Sequence, residues 1–535
     1  MNRLAMIKKE IGKILFAAIL SSVIVFSQKV TIVAGIFSTY NEAYFETFSG
    51  ADFVKWLFFS CIIYGVLFGI TKILNKTTQH ELEPRKKDKR LFIAWVAILM
   101  LAWLPCILTY YPGGIYSDTI ASINMASKYA SLSNHHPLLY TLYWRLILNI
   151  GMAMNLSMEN IFFLFTCTMA VYMALAAAYF LYSCYMHGVS KIRLGTMTGY
   201  FALFNLIPLY IVSLWKDTPF AIVTLAFSTF LLNIFWNKEE EERLISTKNI
   251  IGYILFGVLF SLLRNNGLYV FILLSLIIFI HFWRKDRKLA YKVGEIFLII
   301  TCCLLILRGP IYDHYGLNND DKVESFGIPL QQVGYILSSD GNISEEDKAF
   351  LNNIIPLEKW KEVYCPLIVD RVKWDPEFNL SYLNEHSGEF LKLYVRVVAQ
   401  NPIKAVKGYG LGTVGFWDPT KQTRDAYLCN FMWPSLPFEM KDLVGEKLGV
   451  SLLKYYEPEY LFSSALFGWI LLALTVLGIS RHKDGGYIAT IPSLGLWLTL
   501  LVATPIAFSL RYMFPLVLTI PVAYVTMIRP IEEGK

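Results

Sequence analysis

Long apolar blocks separated by short polar, often basic, breaks set the character of this chain. The blocks fall near residues 11–34, 53–74, 91–110, 160–183, 194–212, 219–236, 250–263, 268–283, 291–308, 460–480, 487–508 and 512–528. Most are long enough to cross a bilayer as a helix, which takes about 20 residues. The pattern predicts an all-α polytopic membrane protein with about 12 transmembrane helices.

Two intervals interrupt the alternation of span and loop. Residues 111–159 contain a further apolar piece, Leu138 to Met154, which carries Arg145 at mid-length. Its apolar positions Leu138, Leu139, Leu142, Tyr143, Leu146, Ile147 and Ile150 make one helical stripe, with Thr141, Arg145 and Asn149 off it. A short stripe with a central charge predicts a helix lying in the membrane interface. Residues 116–130 read as a second interface helix with Ile120, Ile123 and Met125 toward lipid. The other interval, 309–459, has the length of a domain. It carries helix starts at Ser344-Glu345-Glu346-Asp347 and Asn401-Pro402 and turns at Trp374-Asp375-Pro376 and Trp417-Asp418-Pro419. It lacks a convincing strand alternation, so a mainly helical domain is expected. The chain thus divides into a two-span extension with a basic loop (1–90), a transmembrane core (91–308), the domain (309–459) and C-terminal spans (460–535).

Composition agrees: of 535 residues, 55% are hydrophobic and 17% charged, with a mean hydropathy of +0.47. Charge orients the chain. With the N-terminus cytoplasmic, the short inner stretches hold 23 lysines and arginines, counting Lys292 at the edge of its span; the short outer loops hold five. The runs Pro84-Arg85-Lys86-Lys87-Asp88-Lys89-Arg90 and Arg284-Lys285-Asp286-Arg287-Lys288 supply much of that bias, which sets topology. Both termini are expected in the cytoplasm, and intervals 111–159 and 309–459 outside. The net charge of +7 is mostly this bias and gives no reason to expect nucleic acid as a partner. The opening run through Ala34 lacks a small-x-small cleavage site and reads as a membrane anchor, not a signal peptide. Six cysteines lie in or beside apolar spans; Cys365 and Cys429 fall outside and form one candidate pair.

The outer cations Lys128, Arg145, Lys216, Arg264 and Arg511 run against the bias. Lys216 sits in Trp215-Lys216-Asp217-Thr218-Pro219, Arg264 in Leu263-Arg264-Asn265-Asn266-Gly267 and Arg511 in Leu510-Arg511-Tyr512-Met513-Phe514-Pro515, all in tight turns. They suit an anionic ligand, most simply a phosphate; snorkelling to headgroups or a Lys216–Asp217 pair is the alternative. Asp118, in Ser117-Asp118-Thr119, is placed to take a proton from a hydroxyl or to cap a helix. In Asn134-His135-His136-Pro137, a histidine can donate to a phosphate oxygen or join Asp118 on a metal; a capped turn with Asn134 as cap fits equally.

These residues, in this order, resemble the polytopic glycosyltransferases of the GT-C superfamily, such as protein O-mannosyltransferases and aminoarabinose transferases. The matching pieces are Tyr116-Ser117-Asp118 after the first core helix, His136-Pro137-Leu138-Leu139-Tyr140 between interface helices, Arg264 in an outer turn, and Arg511-Tyr512-x-x-Pro515 opening the last helix. The block Glu324-Ser325-Phe326-Gly327-Ile328-Pro329-Leu330-Gln331-Gln332 is similar to the bacterial family DUF6020. The resemblance implies a GT-C-like core and transfer of a sugar from a polyprenyl-phosphate carrier to an extracytoplasmic acceptor at a bacterial plasma membrane. Asp118 would be the inverting base. Lys216, Arg264, Arg511 and His136 would hold the donor phosphate, and His135, Glu324, Gln331 and Gln332 the substrate. The domain tryptophans Trp360, Trp374, Trp417 and Trp433 would hold the acceptor. Many relatives carry paired acidic residues where Asp118 stands alone, so a divalent metal is left open, as are sugar and acceptor. A transporter or flippase of a lipid-linked glycan, a polymerase of lipid-linked repeats and a non-catalytic scaffold are the rival readings. Against a carrier, the sequence shows no mid-membrane charged pair and no Gly/Pro-broken spans at matching places in two halves.

Overall fold

A computed structural model describes residues 3–32, 43–77, 84–236, 244–317, 322–421, 438–456, 462–482, 485–503 and 506–529. Among them are ten helices long and apolar enough to cross a membrane, from Glu10–Ser27 to Leu510–Ile528. The protein is all-α and polytopic. A bent pair, Lys191–Leu203 and Leu206–Val212, makes an eleventh candidate span, and Thr247–Leu263 is a shorter apolar helix. Each predicted span therefore has a helical counterpart. The polar residues that end the apolar runs also start the next helices: side chains of Asp88, Ser157, Ser190, Ser246 and Asp286 accept hydrogen bonds from backbone N–H groups in the first turns.

Three departures from the pattern have local causes. The predicted 194–212 span bends by 45° at Phe204. Pro208 lies four residues beyond Phe204, has no N–H to give its carbonyl and would clash with it. The 487–508 span stops at Val502, and Ile506 instead pairs with Ile368 of the 309–459 interval, with Ala507 N–H bonded to the Leu367 carbonyl at 2.8 Å. A two-stranded antiparallel hairpin, Val30–Ile32 with Ala43–Phe45, lies between the first two long helices.

The two helices of interval 111–159 are Ser117–Ala126 and Leu138–Ala153. On the second, Leu142, Leu146 and Ile150 are exposed as the stripe predicts, but Ile147 is buried with Trp144 and Leu148. Met125 on the first is also buried, not turned outward. Both are pulled inward because the two helices pack on each other and the second also packs on Met158–Met186. Arg145 donates to the carbonyls of Met125 and Ala126 at 3.1 and 3.0 Å. It thus satisfies the last carbonyls of the first helix, which accounts for one cation on the unexpected side.

Interval 309–459 is helical where described. Residues from Val323 to Ala405, including Trp360, Val369, Val372 and Phe390, form a second hydrophobic core. Cys365, Leu367, Ile368, Leu411, Val414 and Phe416 pack instead into the main core of the bundle. The turn aspartates act as expected: Asp375 Oδ1 accepts from Glu377 N–H and Asp418 Oδ1 from Thr420 N–H. Ser344 caps its helix through Asp347 N–H. Asn401 precedes Pro402 but does not cap with its side chain, which bonds Asn342 instead.

Candidate active site

One carbonyl ties the site together. Val212 ends a helix and Asp217 begins the next, and the turn between them exposes the Leu214 carbonyl inward. Thr119 Oγ1 and Tyr140 Oη both donate to it at 2.5 Å, so the Ser117–Ala126 and Leu138–Ala153 helices dock on the same turn. Leu214 N–H also bonds the Gly114 carbonyl at 2.9 Å. Next to it, Gly113 has φ +133°, and a Cβ there would meet Thr166 Oγ1 at 2.5 Å; only glycine makes this approach. Tyr116 stacks on Trp215 at 3.7 Å between ring centres.

That docking assembles a cluster of charges from four separate parts of the chain. Asp118 Oδ2 lies 3.3 Å from Lys216 Nζ and 3.1 Å from an Arg511 guanidinium nitrogen. Lys216 also donates to His136 Nδ1 at 2.9 Å. Because an ammonium has only donors, His136 keeps its proton on Nε2. Arg264 pairs with Asp217, which is fully buried, and Arg511 Nε reaches the other Asp217 oxygen at 3.9 Å. Tyr512 sits between the arginines: Arg511 donates to its hydroxyl at 2.6 Å, and both guanidinium carbons lie 4.6 Å from its ring centre.

The electrostatics follow from this geometry. Burial would raise the Asp118 carboxyl, but Lys216 and Arg511 outweigh it and hold the group well below the usual carboxylate range. Burial, reinforced by Lys216, presses His136 down to about 3, so it is neutral at physiological pH. Asp118 is not a helix cap. The cap position belongs to Tyr116, without a side-chain bond, and the Asp118 carboxylate is engaged by the two cations. Asn134 does not cap the second helix either; Pro137 holds that position.

The cluster borders a cavity of about 430 Å³ whose walls include Asp118, His135, His136, Trp215, Asp370, Trp374 and Arg511. A separate apolar groove of about 510 Å³ runs between Leu138–Ala153, Met158–Met186, Asp217–Ile234 and Thr247–Leu263, lined by Leu139, Tyr140, Pro219, Ala226 and Leu263 among others. The charged residues stand beside that lining in the chain: Leu263 precedes Arg264, and Pro219 follows Asp217 by two.

Other expected residues lie elsewhere. Gln331 donates to the Cys365 and Pro366 carbonyls at 2.9 and 2.8 Å. Gln332 donates to the Ala405 carbonyl and accepts from Tyr394 Oη. Both are buried struts of the second core, away from the cavity. Glu324 is one step removed, 3.0 Å from Lys373, which is 3.0 Å from Asp370. Trp360 is buried in the second core and Trp417 bonds the Gly410 carbonyl; Trp433 lies outside the described residues. Among the described residues no three His, Cys, Asp or Glu side chains are grouped to hold a metal. Cys365 is buried; Cys429 lies outside the described residues, so the candidate pair lies outside them too.

Sequence reading missed Asp217, Tyr512, Asp370 and Trp215. Asp217 was visible in the Trp215-Lys216-Asp217 turn, but its partners are Arg264 and Arg511, not its neighbour Lys216.

A family model matches residues 120–429 and carries the description "family of unknown function (DUF6020)". The match covers more than half of the chain. The chain belongs to DUF6020. The matched segment holds His135, His136, Lys216, Asp217, Arg264 and Asp370, while Asp118 and Arg511 flank it. No curated protein and no solved structure matches this DUF6020 chain.

Proposed function

We propose that this DUF6020 protein is a GT-C-like membrane glycosyltransferase that moves a sugar from a polyprenyl-phosphate carrier to an extracytoplasmic acceptor. One observation carries the reading: Leu263 and Pro219 of the apolar groove are near chain neighbours of Arg264 and Asp217, and Asp217 in turn reaches Arg511 on the wall of the charged cavity. A ligand that uses both must be an amphiphile with an anionic head and a long apolar tail. A polyprenyl phosphate answers that description, its tail along Leu263, Ala226 and Tyr140 and its phosphate toward Arg264, Arg511 and Lys216. The positive-inside bias supports a cavity on the outer face, with both termini cytoplasmic.

The chemistry follows from who holds Asp118. Without a ligand, Lys216 and Arg511 share its carboxylate and make it a weak base. An arriving phosphate competes for the same two cations and loosens that hold, so donor binding raises the carboxylate's affinity for a proton. The acceptor hydroxyl then gives its proton to Asp118 as its oxygen bonds the anomeric carbon. The bond from that carbon to the phosphate oxygen breaks on the opposite face, and the configuration inverts. The arginines stabilise the charge growing on the leaving phosphate. Neutral His136 donates from Nε2 and adds no charge.

The test is direct. Purified protein in nanodiscs is offered undecaprenyl-phosphate sugars labelled in the sugar, with a cell-envelope extract as acceptor. Release of unlabelled undecaprenyl phosphate with label in the acceptor is the expected outcome. In liposomes, movement of intact labelled lipid across the bilayer without cleavage would instead make the protein a transporter.

A further inference from the structure

The wall of the cavity supplied by the second core has its own chemistry. Val369 and Val372 are fully buried in that core, which turns the short helix Asp370–Lys373 so that Asp370 and Trp374 line the cavity. Asp370 is largely enclosed. Lys373 Nζ lies 3.0 Å from its Oδ1. Trp374 is 57% exposed although it is a large apolar ring in a polar cavity. Its backbone N–H bonds the Asp370 backbone carbonyl at 2.9 Å, which sets the two residues one helical turn apart on the same wall. The Ile368–Ile506 bridge ties the segment to the chain just before Arg511.

We infer that Asp370 and Trp374 form a sugar-ring subsite, the carboxylate accepting ring hydroxyls and the indole face covering the apolar C–H face of a pyranose. The inference rests on the glycosyl-transfer reading and names its substrate class. A pyranose is flat, with C–H groups on a face and hydroxyls at its rim, and this wall offers an aromatic face beside an acceptor-only carboxylate. Arg511 and His135 on the other walls supply donors. The same aromatic and acidic pair would also suit an organic cation. Arg511 lines the same cavity, and Lys216 borders it through Asp118 and His136; both weigh against a cation. The volume, about 430 Å³, lies within the roughly 300–1,000 Å³ of small-molecule sites. Lys373, held between Asp370 and Glu324, keeps the carboxylate in place, so Glu324 acts as a positioning residue.

The full-length protein in nanodiscs tests this by saturation-transfer NMR with methyl glycosides of glucose, mannose, galactose and N-acetylglucosamine. Undecaprenyl phosphate binding is measured separately. At least one glycoside is expected to bind. Trp374→Ala and Asp370→Asn each weaken it about tenfold, while Trp374→Phe retains most affinity and undecaprenyl phosphate binding is unchanged in all three. Displacement of the glycoside by an undecaprenyl-phosphate sugar assigns the subsite to the donor ring; persistence assigns it to the acceptor ring. Wild-type binding of undecaprenyl phosphate but of no glycoside overturns the subsite alone. Wild-type affinity in both Trp374→Ala and Asp370→Asn, or stronger binding of tetramethylammonium than of any glycoside, also overturns it. Glycoside binding without undecaprenyl phosphate binding leaves the subsite standing and removes the polyprenyl-phosphate donor.

Discussion

The charged cavity and the apolar groove beside it have similar volumes, about 430 and 510 Å³, and are built on opposite principles. In the charged cluster that borders the cavity, Asp118 is matched to Lys216 and Arg511, and Asp217 to Arg264. Removing one leaves another buried without compensation, and that cost is large. In the groove, tyrosine, leucine and alanine side chains contribute area, and area adds in small increments. Substitutions in the cavity should therefore act as switches, and those in the groove as graded adjustments.

The largest effect is expected at Asp118. Asp118→Asn keeps the shape but cannot take a proton, so sugar transfer should fall about 10²–10⁴-fold. Carrier binding should hold or tighten, because Lys216 and Arg511 are released from the carboxylate. Turnover assays paired with undecaprenyl phosphate binding separate the two; near-normal turnover would return Asp118 to a structural role.

Arg264→Ala comes next and reads out in stability. It strips the buried Asp217 of its closest partner, a loss of about 3–5 kcal/mol for a broken buried pair. The double change Arg264→Ala with Asp217→Asn should recover much of that. Thermal unfolding in detergent measures both, and equal stability of the single and double variants would refute the pairing.

A smaller effect follows pH. His136 is held down to about 3 in the fold, against about 6.5 when unfolded. Its folded value is the lower, so the unfolded chain binds the extra proton. Its contribution is complete above about pH 6.5 and declines as pH falls toward 3, by about 2 kcal/mol at pH 5. Replacing it in His136→Gln should flatten the slope of unfolding midpoint between pH 7 and 5. An unchanged slope would show that His136 charges freely in the folded protein.

The groove should give the smallest change. Ala226→Trp fills part of it, and displacing about two methylenes of a lipid tail costs about 1.6 kcal/mol, or roughly tenfold in affinity. The loss should appear for undecaprenyl phosphate and vanish for a carrier of two isoprene units. Equal losses for both chain lengths would mean that the tail lies elsewhere.

Much of the architecture was legible because bilayer thickness imposes one length on every span, so apolar runs and polar breaks could be read off directly. Asp118, His136, Lys216, Arg264 and Arg511 were legible for a related reason: charges in short turns at helix ends have few places to go. The sequence could not reveal partnership. Asp217 read as the neighbour of Lys216, yet helix geometry turns it toward Arg264 and Arg511, the latter almost 300 residues away. Gln331 and Gln332 shared a motif with Glu324 and looked alike in the sequence. Only Glu324 connects to the cavity, because the Gly327–Ser338 helix buries both glutamines against backbone carbonyls.

Local patterning thus determined the helical, membrane-spanning class of this protein and the ends of most spans, since each depends on residues close together in the chain. The tertiary structure decided that Leu214 would receive both Thr119 and Tyr140, that two cations would share one carboxylate, and that Asp370 and Trp374 would face the cavity. Those outcomes depend on packing between segments separated by tens to hundreds of residues. Distance through space is what sets the strength of a charge pair or a hydrogen bond, and the order of residues alone does not contain it.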